Sequence, residues 1–153
     1  MTRALVVCIG NALAADDAVG PRVHAELLEK TIPEHVTLRL LGLGGIALLD
    51  ELGGEETLVV VDAVRFGAPP GTLHVVDGST LGEACGMPVT SHDIGLGEVL
   101  AVGTRLFPER MPRKTLLVGI EGACFDQLGA PLTPEVEAAL PAAVAAVLKS
   151  VDI

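Results

Sequence analysis

The sequence predicts an α/β protein: a three-layer α/β/α architecture with a mixed, mostly parallel sheet of about five strands flanked by helices. Three observations predict it. Apolar runs of strand length recur along the chain and alternate with segments of helical length. Those runs read Val, Leu and Ile almost without polar interruption, as strands covered on both faces do. The 18 glycines and 10 prolines punctuate short elements. At 153 residues the chain fits a single domain, 1–153, long enough to bury a core. Half of it is hydrophobic but only 2% is aromatic, so that core is aliphatic.

Each element can be read in turn. Ala4 to Ile9 (ALVVCI) forms the first strand, ended by Gly10 and Asn11. Asp16 and Asp17 precede a helical stripe of Val19, Val23, Leu27 and Leu28, where acids cap the first turn and complement the helix dipole. Val36 to Leu41 is the second strand; Gly42, Gly44 and Gly45 then turn the chain into a short helix over 46–52. Thr57 to Val64 (TLVVVDAV) carries the strongest strand signal, interrupted only by Asp62. The GAPPG segment leads to Thr72–Val76. That connection is too short for a crossover, so the two strands are expected to pair antiparallel, which makes the sheet mixed. A loop of small residues and the SHDIG segment open a helix over Leu96 to Leu106, and Lys114 to Ile120 is another buried strand. Thr133 and Pro134 read as N-cap and first residue of the last helix, with a kink expected at Pro141.

Charge and composition exclude several functions. Ten Lys and Arg against 20 Asp and Glu give a formal net charge of −10, with no Trp or Tyr. Nucleic-acid binding needs a basic footprint and, for single strands, aromatic platforms, so no nucleic-acid partner is expected. No apolar run reaches the roughly 18 residues of a membrane span, and the N-terminus shows no processing site, so no membrane partner is expected either. Cys8, Cys85 and Cys124 lie far apart and form no CxxC pair. This argues against a disulfide framework or zinc knuckle and for a cytoplasmic protein.

In open α/β sheets, sites form beyond the carboxyl ends of parallel strands. Three positions bear on that edge: Asp16 or Asp17 after the first strand, Asp62 closing the LVVV run, and His92 in SHDIG. A carboxylate buried at Asp62 without partners costs several kcal/mol. Two carboxylates and an imidazole make an O/N metal site with open positions. Taken singly, each has a structural explanation: Asp17 as an N-cap, Asp62 as an acceptor for backbone N–H groups, His92 as a surface residue. No P-loop, GxGxxG, GxSxG or HExxH motif is present, and Cys8 reads as a core residue.

In combination, CIGNALAADDAVG, LVVVDAV, SHDIGL, LLVGIEG and LTPEVEAALP, in that order over essentially the whole chain, resemble the nickel-iron hydrogenase maturation endopeptidases. The resemblance implies an α/β/α fold with a mixed sheet and no permanently bound cofactor. Carried over by position, the family's nickel-contacting residues fall on Asp17, Asp62 and His92. The nickel is supplied by the substrate, a hydrogenase large-subunit precursor that holds it through its own cysteines. The protease reads that nickel as a completion signal and removes a C-terminal extension. Nickel accepts carboxylate and imidazole ligands, and once docked it polarises the scissile carbonyl or activates a water. Asp17 or its neighbour Asp16 would serve as general base. A cleft that admits a large folded partner suits a monomer.

The sequence departs from the family pattern in four places. Cys8 replaces a glycine of the G-x-G-N turn, Ala18 replaces a glycine after the acidic pair, and Gly122 replaces a frequent proline beside Glu121. Where the family reads D-G-G-T, this chain has Leu40, Leu41, Gly42 and Leu43. That change motivates an alternative, a non-cleaving protein that checks the nickel centre of the precursor. A hydrolase owning its metal through the same trio is a third reading.

Overall fold

The computed structural model describes residues 2–42, 44–78 and 95–151. Five strands, β1 (Ala4–Ile9), β2 (Val36–Leu41), β3 (Thr57–Val64), β4 (Leu73–Asp77) and β5 (Lys114–Glu121), form one sheet in the order β2-β1-β3-β5-β4. Among the described residues four α-helices flank it: α1 (Val19–Leu28), α2 (Ala47–Glu51), α3 (Leu96–Leu106) and α4 (Pro134–Ser150). The strands β2, β1, β3 and β5 run parallel, and β4 lies antiparallel beside β5 at the edge. The fold is the expected mixed α/β/α arrangement.

One expected pairing is corrected. β3 and β4 run in opposite directions, as their short connection requires, but β5 lies between them. Both edges of β3 are already taken by β1 and β5, strands whose apolar residues need cover on two faces. β4 carries Val75 at 52% exposure and suits an outer position. The last helix runs from Pro134 to Ser150 with Pro141 inside it.

Strand alternation divides the apolar residues between two cores. On one face Val6 and Cys8 of β1, Val59 and Val61 of β3, and Val118 and Ile120 of β5 meet Val23 and Leu27 of α1 and Leu140 and Val144 of α4. On the other, Leu5 and Val7, Leu58 and Val60, and Leu117 meet Leu48 and Leu49 of α2 and Val99 of α3. Each fully buried Val or Leu contributes about 1.5–3 kcal/mol. Cys8 belongs to the first core, where burial pushes its thiol pKa up to about 12. It is a packed, uncharged side chain, as its place in an apolar strand suggested.

Two glycines bring α1 against the end of β1. A Cβ at Gly20 would lie 2.1 Å from the Ile9 carbonyl oxygen. One at Gly10, whose φ is +154°, would lie 2.1 Å from the Asp17 carbonyl oxygen. Only a residue without Cβ allows these approaches, and they set the turn carrying the acidic pair directly on the sheet edge.

Candidate functional site at the carboxyl edge of the sheet

β1 and β3 are in parallel register with Cys8 opposite Val61, so Ile9 and Asp62 end at the same edge. From Gly10 the chain loops into a 3-10 turn, Ala15–Ala18, that touches β3 before α1 begins. Ala15 has φ +49°, the one positive value at a non-glycine among the described residues. That conformation costs an L-residue about 1–2 kcal/mol, and its two neighbours hold it. Ala14 bridges to Leu128, and the Asp16 N–H donates to the Cys124 carbonyl at 2.8 Å.

The two adjacent acids have different surroundings. Asp16 is fully buried, and its carboxylate accepts from four donors. The N–H groups of Ala123 and Cys124 reach Oδ2 at 2.8 and 3.0 Å, and that of Thr133 reaches Oδ1 at 2.8 Å. The Thr133 hydroxyl lies 3.0 and 2.9 Å from the two oxygens. Thr133 does precede α4, but its hydroxyl serves Asp16 rather than capping the helix. One carboxylate thus ties the turn after β1 to the loop after β5 and to the start of α4, through hydrogen bonds strengthened by its charge.

Asp17, 9% exposed, accepts from the Asn11 N–H at 2.8 Å, while the Asn11 side chain accepts from the Leu13 N–H at 2.9 Å. Its carboxylate therefore sits inside its own loop at the sheet edge. Asp62 is 2% exposed and lies on the face of β3 covered by α2 and α3; its Oδ1 accepts from the Ala63 N–H at 2.8 Å. The structure brings Asp16, Asp17 and Asp62 to one edge. His92, like Cys85, lies outside the described residues. The description resumes at Gly95, which opens α3. The described residues by themselves gather no group of three or more His, Cys, Asp or Glu able to hold a metal ion. Nor is any helix among them long and apolar enough to cross a membrane.

The departures from the family pattern have local settings. Gly122 donates its N–H to the Val64 carbonyl at 3.1 Å, a bond that proline would forfeit. A Cβ there would come within 2.5 Å of the Phe125 ring. Leu40 and Leu41 stand opposite Cys8 and Ile9, so the altered segment also lies at this edge, with Leu40 46% exposed.

Two features were not visible in the sequence. Glu121, 3% exposed, accepts from the Phe66 N–H at 2.9 and 3.1 Å and contacts His74 Nε2 at 3.0 Å. The rings of Phe66 and His74 meet edge-on at 4.9 Å. These contacts fasten β4 to the exit of β3. Beside them, Arg65 lies 4.1 Å over the Phe125 ring, on an open cavity of about 520 Å³ lined also by Gly67 and residues 121–126. Neither feature has a local signal, because each joins segments that meet only once β5 is inserted next to β3.

A family profile described as hydrogenase maturation protease (HycI) matches residues 21–150. The chain is 34% identical over 143 residues to the hydrogenase expression/formation protein HupD of Thiocapsa roseopersicina, covering 92% of this chain and 63% of that protein. To the hydrogenase 2 maturation protease of Escherichia coli K12 it is 31% identical over 149 residues, covering 95% of this chain and 88% of that one. Among solved structures it resembles the hydrogenase maturating endopeptidase HybD from E. coli, with a TM-score of 0.83 and 30% identity over 98% of this chain and 92% of that one.

Proposed function

The chain belongs to the hydrogenase maturation protease family, and we propose that it is the endopeptidase that removes the C-terminal extension of a nickel-loaded hydrogenase large-subunit precursor, working as a cytoplasmic monomer. The observation that carries this reading is the delivery of Asp17 and Asp62 to one sheet edge by two adjacent parallel strands, β1 and β3. Asp17, Asp62 and His92 contact the nickel that the precursor brings. They hold the scissile peptide against it by gripping its metal, so that an unloaded precursor lacks the handle. The metal polarises the peptide carbonyl. A water oxygen then bonds to the carbonyl carbon, the C–N bond breaks, and the departing amine takes a proton.

The residues divide this work by what already engages them. Asp16 meets four donors, so its role is to position the turn. Asp17, whose carboxylate accepts the Asn11 N–H at the sheet edge, is the residue of the pair assigned to the metal and to the water proton. A second reading, a non-cleaving protein that checks the nickel centre, is favoured by one observation: Leu40 and Leu41, which open the segment where the family reads D-G-G-T, stand at this edge.

Mass spectrometry of a cognate precursor, nickel-loaded and nickel-free, tests the reading. Loss of a C-terminal peptide from the loaded sample alone is expected. Cleavage of both would place recognition in the tail, and binding without any cleavage would favour the second reading. Asp62→Ala and His92→Ala should each lower cleavage about 100- to 1,000-fold, as loss of a group acting at the reacting centre does. The melting temperature should stay within a few degrees of native. Retained activity with a large fall in melting temperature would make the roles structural.

A further inference from the structure

We propose that the cavity between Arg65 and the loop after β5 is a subsite for an acidic side chain, Asp or Glu, of the substrate's C-terminal extension, and that Arg65 binds that carboxylate. The inference rests on the reading above, which puts the scissile peptide at this edge.

Its position follows from the chain. Arg65 leaves β3 three residues after Asp62, and the loop that forms the far wall is the one whose N–H groups hold Asp16. An extended peptide crossing the edge at Asp62 runs onto this cavity within a few residues. Its volume of about 520 Å³ accommodates a side chain together with its backbone.

Its chemistry follows from Arg65. In a chain of net charge −10, this exposed guanidinium has no ion-pair partner among the described residues. The nearby acids are otherwise placed. Glu121 is buried and occupied by the Phe66 N–H and His74, and Asp126 lines the cavity without forming an ion pair with Arg65. The side chain lies on Phe125 at 4.1 Å, where the ring attracts the cation and holds the guanidinium plane. The edge of that plane keeps its N–H groups for a partner, and a carboxylate matches two of them at once. Phe125 itself sits where only glycine at 122 leaves room for it: a Cβ there would lie 2.5 Å from the ring. An arginine stacked on Phe125, unpaired among the described residues and on the wall of a polar cavity in an acidic protein, is complementary to an anion.

Two measurements test this. In steady-state cleavage of the nickel-loaded precursor, Arg65→Gln should raise KM about ten-fold with kcat within about two-fold, the pattern of lost uniform binding. Arg65→Glu should raise KM further. Neutralising one particular acid of the extension (Glu→Gln or Asp→Asn) should raise KM for the native enzyme and not for Arg65→Gln, and changing that acid to Lys should restore cleavage by Arg65→Glu. Unchanged KM in both Arg65 variants, or a loss that no acid of the extension shares, overturns the subsite while leaving the protease reading intact. Calorimetric binding of the synthetic extension peptide separates the two ideas. Binding abolished by Arg65→Glu supports the subsite even where no cleavage occurs, and binding indifferent to Arg65 overturns it.

Discussion

The loop after β5 has two sides of opposite character. Inward, the N–H groups of Ala123 and Cys124 are used up on Asp16, a carboxylate with no exposed surface. Outward, Phe125 carries the Arg65 guanidinium, which meets no acid among the described residues. The same few residues thus close a hydrogen-bond network on one side and leave a charge for a partner on the other. The difference separates stability from recognition. A polar group saturated by the protein stabilises the fold and has little left to offer a ligand, whereas one held by stacking alone keeps its hydrogen-bonding capacity.

Removing the inward side should have the larger effect. Asp16→Ala would leave three part-buried N–H groups and a hydroxyl without their buried acceptor and free the strained turn at Ala15. A loss of about 3–5 kcal/mol is expected, as when one partner of a buried charged network is deleted. That corresponds to a fall of roughly 10 °C or more in melting temperature for a chain of this size. Asp16→Asn, which keeps the volume but turns an amide N–H toward donors, should lose less. Calorimetry of both variants checks this; a melting temperature within 2–3 °C of native, roughly 1 kcal/mol, would show that the cluster is not a clamp.

Gly122 touches both sides of the loop after β5. Gly122→Ala would push its Cβ against the Phe125 ring and toward the Asp16 side chain, at 2.5 and 3.2 Å. An overpacking cost of about 1–2 kcal/mol is expected. Because the shelf under Arg65 moves, KM should rise as in Arg65→Gln, although the arginine is untouched. A native KM with a displaced ring would show that stacking does not position the cation.

The smallest effect is chemical rather than energetic. Burial holds the Cys8 thiol near a pKa of 12, while Cys124 is half-buried on the wall of the cavity. The thiolate is the reacting form. At pH 8, a maleimide should therefore label Cys124 in the folded protein and Cys8 only after denaturation, with no change in melting temperature on labelling. Peptide mapping reads the result; early modification of Cys8 would mean that the first core opens more readily than its packing implies.

The layered α/β class was legible in the sequence, since β1, β3 and β5 are largely apolar runs that no single-sided element would bury. The sequence also marked Asp62, because a lone carboxylate in such a run needs a reason. The approach of α1 to β1 rests on Gly10 and Gly20, and only the geometry shows which carbonyls they face. Tertiary structure alone decided the rest. Composition and spacing treat Asp16 and Asp17 as interchangeable neighbours, yet consecutive side chains in a tight turn point in different directions. One meets Thr133 and the loop after β5, and the other meets Asn11. The place of β4 beside β5 followed from which strand edges remained open, a property of the assembled sheet rather than of any segment. The Glu121–His74 and Arg65–Phe125 contacts depend on that same assembly. Local patterns report which faces must be buried. Which distant groups become partners depends on the order in which strands share edges, and that order is set only when the whole sheet forms.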